Sequence, residues 1–262
     1  MERHWRRSGN ADQPAQLGKI LDKYYWAYGP YSDVDASVSR PGGKIENVRR
    51  QFGNMILSKT PILSTRLFPL PKSALRQRHN MVVGVFEGVV KLQRDGALRI
   101  YNAHLGAHSR HDRVAQIVSI RDTIRRATAE GGAWTGHHEQ ALWEADSDPP
   151  PMPEAFVLLG DFNLEAKDPG YDYLVGPKDG ELGRISSKED FIDTWVTAGH
   201  DEDEGVTYPA SESTTSAHGI RIDYAFVDES MQKRVLGARI DDAAQGSDHQ
   251  PYWLDLDYAP YD

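Results

Sequence analysis

A mixed α/β layered domain is the expected fold of this 262-residue chain. Short β-branched runs recur between turn residues, one amphipathic helix is clearly marked, and no repeat or low-complexity linker divides the sequence. The strand-like runs are 55–58, 81–86, 98–103, 156–159 and 222–227, each rich in Val, Ile, Leu, Phe or Tyr. Tyr252–Leu256 alternates apolar and polar residues, as a half-buried strand does. Ser109 followed three residues later by Asp112 reads as an N-terminal capping box. Ile117, Ile120, Ile124 and Ala127 then recur at three- and four-residue steps, and Gly131-Gly132 closes the helix. A weaker helix is expected over 13–23, and the proline- and acid-rich stretch 135–154 reads as a surface excursion. Strands outnumber helices, and a single domain over 1–262 accounts for the pattern.

Composition narrows the function. Apolar residues are 39% and charged residues 26%, as in an ordinary soluble globular protein. With no cysteine, disulfides, thiolate zinc sites and cysteine nucleophiles are excluded, and a reducing cytoplasm is the expected location. The basic start, residues 1–7, has no apolar run behind it, so it is not a secretory signal, and no window is long and apolar enough for a membrane span. The net charge of −9 argues against a protein that grips a long DNA backbone, because each phosphate contact needs a cation. Arg49-Arg50 and Arg76/Arg78 are local basic clusters, read more simply as solvated surface charge. A small phosphorylated substrate or a lipid headgroup is the favoured partner; nucleic acid is the second.

Four polar clusters sit at the ends of predicted strands, where a layered fold delivers side chains to a common site. His104, just past an apolar run, has the chemistry to donate to a phosphate oxygen, although alone it is better read as a loop histidine. In Gly160-Asp161-Phe162-Asn163 a buried strand runs into glycine. Asp161 and Asn163 then point one way and Phe162 the other, suiting Asp161 to polarise a water and Asn163 to orient it; a plain turn is the alternative. Asp223 lies within an apolar strand, a costly place for a carboxylate unless a histidine, a metal or water meets it. Asp248-His249, held by Gly246 and Pro251, offers a carboxylate beside an imidazole, again unless it is only a loop.

As a series, these segments resemble the endonuclease/exonuclease/phosphatase superfamily, whose pattern runs Asn-x-His-Leu, Gly-Asp-Phe-Asn, Ile-Asp-Tyr and Ser-Asp-His. Here those places hold Asn102-Ala103-His104-Leu105, Gly160-Asp161-Phe162-Asn163, Ile222-Asp223-Tyr224 and Ser247-Asp248-His249. The helix with Arg113 and Gln116, the Phe52-Gly53-Asn54 strand and Asp193-Thr194-Trp195 also match. The resemblance implies a four-layered α/β sandwich, two packed and mostly antiparallel sheets flanked by helices, and metal-dependent hydrolysis of phosphate mono- or diesters. It implies His249 as general base or phosphate-binding imidazole, oriented by Asp223. Asp161 would activate water, Asn163 would bind a phosphate oxygen, and His104 would stabilise charge at phosphorus. Asp248 would support a divalent ion, and an oxygen-rich, thiolate-free set favours Mg²⁺ or Mn²⁺.

The family's opening strands, ending in Asn and in Gln-Glu, have no counterpart here, and residues 2–9 resemble the segment immediately after that glutamate. The expectation is therefore a domain lacking its first strands and its chief metal-ligating carboxylate, with Glu2 or Glu46 as candidate substitutes. A truncated enzyme is favoured, with a DNA-repair-type nuclease and a catalytically impaired binding module as the competing functions.

Overall fold

The computed structural model describes residues 1–77, 79–93, 96–136, 148–210 and 219–258. Arg78, the His137-His138 pair and parts of the 135–154 and 201–216 stretches lie outside the described residues. The chain divides into two compact units, one of Met1–Asn102 and Thr123–Glu154, the other of Ala103–Asp122 and Ala155–Asp262. Both mix strands and helices, as the sequence predicts.

In the first unit β1 (Glu2–Arg3), β5 (Arg49–Ser58) and β2 (Tyr25–Asp35) form an antiparallel sheet with β5 in the middle. Helix α1 (Gln13–Ile20) is capped by the Asp12 carboxylate, which accepts from the Ala15 amide, and it ends three residues earlier than expected because Leu21 leaves helical angles. A small hairpin, β3 (Val38–Ser39) with β4 (Ile45–Glu46), joins β2 to β5. Gly53 faces the bend at Gly29-Pro30, where a Cβ would come within 2.1 Å of the Gly29 carbonyl oxygen. Glycine in the Phe52-Gly53-Asn54 motif is thus a requirement of strand approach. The Asn54 side chain donates to the Asn102 carbonyl at 2.7 Å and accepts from the Tyr31 hydroxyl at 3.1 Å.

Strands β6 (Ile62–Pro69) and β7 (Gly84–Lys91) pair antiparallel, and β8 (Ala97–His104) follows in the order β8-β7-β6. β7 starts at Gly84, three residues later than expected, and buries Val85, Phe86 and Val89. Glu87 is fully buried on the same strand and is held by Arg66 through two hydrogen bonds of 2.7 and 2.8 Å, the arrangement that makes a buried carboxylate tolerable.

Helix α2 (Arg110–Glu130) has the Ser109 cap predicted for it, its hydroxyl accepting from the Asp112 amide at 3.1 Å. The four apolar positions expected to face the core are buried, Ile117 and Ile120 in the second unit and Ile124 and Ala127 in the first. The second unit further comprises β9 (Phe156–Asp161), α3 (Pro169–Val175), the β10 (Lys178–Asp179) and β11 (Gly183–Arg184) hairpin, β12 (Ile192–Asp193) and the single-turn α4 (Thr194–Thr197). It ends with β13 (Asp223–Val227), β14 (Val235–Ile240) and β15 (Tyr252–Leu256). β13 lies between β12 and β9, antiparallel to both, and β14 pairs with β15. Phe162, Tyr171, Tyr224 and Phe226 form the aromatic centre of its core, with ring centroids 5.2 to 6.3 Å apart. Among the described residues no helix is long and apolar enough to cross a membrane.

Candidate active site

The five residues singled out as catalytic all fall in the second unit, and contacts link them in series. The first link is made by backbone. At the end of β8 the Leu105 amide donates to the Asp161 carbonyl at 2.9 Å, which seats His104 beside the end of β9. A Cβ at Gly160 would lie 2.0 Å from the Ala103 carbonyl oxygen, and Gly160 has φ of 137°, so only glycine lets the two segments approach. His104 Nε2 then stands 3.6 Å from Asp161 Oδ2.

Phe162 points into the core, packed edge-on against Tyr224 and Phe226. With that ring buried, Asp161 and Asn163 emerge on the opposite side. Asn163 takes a left-handed conformation, φ 50°, one that asparagine tolerates better than most residues. The turn brings its amide to 2.8 Å from Asp161 Oδ1 and its Nδ2 to 3.2 Å from Oδ2, while Nδ2 also donates to the Leu105 carbonyl at 2.9 Å.

The β9–β13 register places Asp223 directly opposite Asp161. Asp223 is the first residue of β13, not an interior one as the apolar run 222–227 implies, because the Ile222 carbonyl is drawn to the Phe162 amide beyond the ladder. Like charges directly across a strand pair repel. Burial first, and the Asp223 charge second, push Asp161 up to about 6. Asp223 relieves its own charge on His249, whose Nδ1 lies 2.8 Å from Asp223 Oδ2, and that hydrogen bond holds the imidazole above its usual range. His104 moves the other way: burial lowers it to about 4, with the His249 charge acting in the same sense. His104 and Asp161 are therefore neighbours without being an ion pair at neutral pH, and His104 is a neutral N–H donor there.

Asp248 is exposed beside His249, and its carboxylate adds negative potential at both Asp161 and His249. Two residues that sequence reasoning passed over complete the frame. Thr207, fully buried, accepts from the Ile222 and Asp223 amides at 3.0 and 3.1 Å through its hydroxyl, and its carbonyl accepts from the Gln250 amide at 2.8 Å. It thus ties the strand of Asp223 to the segment of His249. Tyr208 lays its ring 4.9 Å from the His249 ring, centroid to centroid. A lone Thr-Tyr-Pro offers no charge or motif by which to find either one.

The carboxylate and amide oxygens here suit a hard divalent cation in kind. In number they fall short: among the described residues no group of three or more His, Asp or Glu side chains is placed to hold a metal ion. The suggested substitutes lie in the first unit and are engaged otherwise, Glu2 by Arg7 and Glu46 by Arg40.

Comparison with known proteins places the whole of this arrangement within one matched stretch of chain. The Endonuclease/Exonuclease/phosphatase family matches residues 5–249, and that family comprises hydrolases of phosphoester bonds. No curated protein matches. Among solved structures, an endonuclease/exonuclease/phosphatase family protein from Bacteroides thetaiotaomicron is 15% identical with a TM-score of 0.59, over 92% of this chain and 76% of that one. A mannosyl-6-phosphatase from the same organism is 14% identical with a TM-score of 0.58, over 94% and 81%. A 3′ phosphatase from Neisseria, bound to a product DNA hairpin, is 17% identical with a TM-score of 0.50, over 94% and 83%. These likenesses show the α/β sandwich fold, and the match across both units shows more: this chain belongs to the endonuclease/exonuclease/phosphatase family.

Proposed function

We propose that this protein hydrolyses phosphate mono- or diesters, with Asp161 as the base that takes a proton from the attacking water. The observation that carries this reading is the opposed pair Asp161 and Asp223. A carboxylate held near 6 is ionised at neutral pH yet basic enough to accept a proton, the condition a general base must meet. Of the two roles open to His249, its raised affinity for a proton supports the second: an imidazolium, charged through Asp223, that binds the phosphate. Water oxygen bonds to phosphorus, its proton passes to Asp161, and the ester oxygen departs with the bonding pair and is protonated by solvent. His104, neutral, donates to a phosphoryl oxygen as charge builds there, and Asn163 orients the group.

Mg²⁺ or Mn²⁺, held by Asp248, would supply further charge neutralisation. The donor set in the described residues does not by itself satisfy such an ion, and no step above depends on it. That shortfall favours a binding module that keeps the fold without turnover as the second reading. For the substrate, the net charge of −9 supports a small phosphate ester over a long nucleic acid, and the two neighbours named for phosphatase activity are compatible with either. The test is release of p-nitrophenol from mono- and bis-p-nitrophenyl phosphate with added Mg²⁺ or Mn²⁺. Turnover that disappears in His249→Ala is expected; no turnover of these or of natural phosphate esters hands the lead to the binding module.

A further inference from the structure

Beside Asn163 the second unit has a cleft of about 200 Å³ that the chemistry at phosphorus leaves unused. One wall is charged. The Arg110 Nε donates to Asp168 at 3.2 Å, and Lys167 pairs with Glu165 at 2.7 Å. The rest of the lining is largely aliphatic, from Leu164, Ile220 and Ile222. Asp168 is saturated: it also accepts from Arg113 at 3.3 Å and from the Gly170 amide at 2.9 Å, so it fixes the guanidinium of Arg110 without competing for its terminal nitrogens. Lys167 and Glu165 remain solvent-accessible, with 73% and 35% of their side chains exposed.

Resting on the phosphoesterase reading, we propose that this cleft binds the alcohol part of the substrate and that this part is a polyhydroxylated ring, a sugar or cyclic polyol of monosaccharide size. A hydroxyl both donates and accepts, and a wall of paired cation and carboxylate answers both functions at one position. The aliphatic wall suits the C–H face of such a ring. A nucleobase is recognised by stacking on aromatic rings or arginine planes; no aromatic side chain is among the described residues lining the cleft, and the guanidiniums of Arg110 and Arg113 are both held by Asp168. An acyl chain would strand the cleft's five charged side chains without water. The volume admits one ring and excludes a polymer. Asn163 lines the cleft and also contacts Asp161, so the cleft adjoins the reacting groups through this one side chain.

The experiment compares kcat/KM for a hexose 6-phosphate, phosphocholine, a nucleoside monophosphate and p-nitrophenyl phosphate, in the native chain and in Arg110→Ala and Lys167→Ala. The hexose phosphate should be the best substrate, and each variant should raise its KM about tenfold more than that of p-nitrophenyl phosphate, the loss of one charge-assisted hydrogen bond. Equal use of phosphocholine or the nucleotide, or equal effects on all substrates, overturns the inference while leaving the phosphoesterase reading intact. Should no ester be hydrolysed, the phosphoesterase reading fails, and calorimetry with the hexose 6-phosphate decides this one separately. Binding weakened about tenfold by each variant upholds the cleft; binding that is absent or unchanged removes it. Lys167→Ala guards against a folding defect, since Lys167 is bonded only to its exposed neighbour Glu165.

Discussion

Asp193 and Asp161 are both strand-end aspartates of the second unit, and they are treated in opposite ways. Asp193, with 3% of its side chain exposed, accepts from the Tyr171 hydroxyl at 2.7 Å and the Trp195 amide at 2.8 Å and faces the Arg221 guanidinium at 3.4 Å. Asp161, with 21% exposed, accepts from the N–H groups of Asn163, has His104 at 3.6 Å and looks across the ladder at a second carboxylate. The first is fully compensated; the second is left short of positive charge. A carboxylate left under repulsion has a raised affinity for a proton, which is the property the proposed role of Asp161 requires.

Substitution should break the comparison in opposite directions. Asp193→Ala leaves the Arg221 charge buried and unpaired, and chemical denaturation should show a loss of about 3–5 kcal/mol. Asp161→Asn keeps the shape and the acceptor for the Asn163 amide while removing the strained charge. Because Asp161 rises from near 4 to about 6 on folding, its contribution is favourable at low pH and is lost as pH rises through 6. At pH 7.5 the asparagine variant should therefore gain about 1–3 kcal/mol while losing nearly all activity. A destabilised Asp161→Asn would mean that the carboxylate is compensated after all.

How far the sequence carried depends on the kind of signal. Asp161, Asn163, Asp223 and His249 were legible because polar residues beside apolar strand runs are conspicuous, and the structure links them by contact. Helix α2 was legible because capping and periodicity agree. β2 was not, since Gly29 and Pro30 interrupt it and both argue against a strand interior, although a register shift at Pro30 accommodates them. Thr207 was invisible for a different reason: its role lies in hydrogen bonds to segments 15 and 43 residues away, with no local pattern to announce it. Two of the three borders between the compact units were equally hidden, because they fall inside β8 and α2, where composition does not change.

The pH dependence sharpens the same contrast within the site. On the proposed mechanism, activity needs Asp161 ionised and His249 charged. kcat/KM should fall about tenfold per unit below pH 6 as Asp161 takes up its proton, and should fall again only above the ordinary histidine range, since Asp223 raises His249. His104, lowered to about 4, contributes no limb near neutrality. Asp223→Asn should bring the alkaline limb down, seen equally in the His249 ring protons by NMR. An unchanged alkaline limb would assign it to another group.

Thr207 offers the smallest and most specific test. Valine has its shape without the hydroxyl, so Thr207→Val leaves the Ile222 and Asp223 amides without their acceptor in a buried place. A purely structural threonine would cost about 1–3 kcal/mol and nothing else. A positioning residue should also loosen Asp223 against His249, lowering the imidazole's proton affinity and kcat by several-fold with KM little changed. Thr207→Ser should restore both, because the hydroxyl, and not the methyl, holds the strand. Stability lost with the His249 titration unmoved would reduce Thr207 to scaffolding, and the geometry of the dyad would then have to come from the β9–β13 ladder alone.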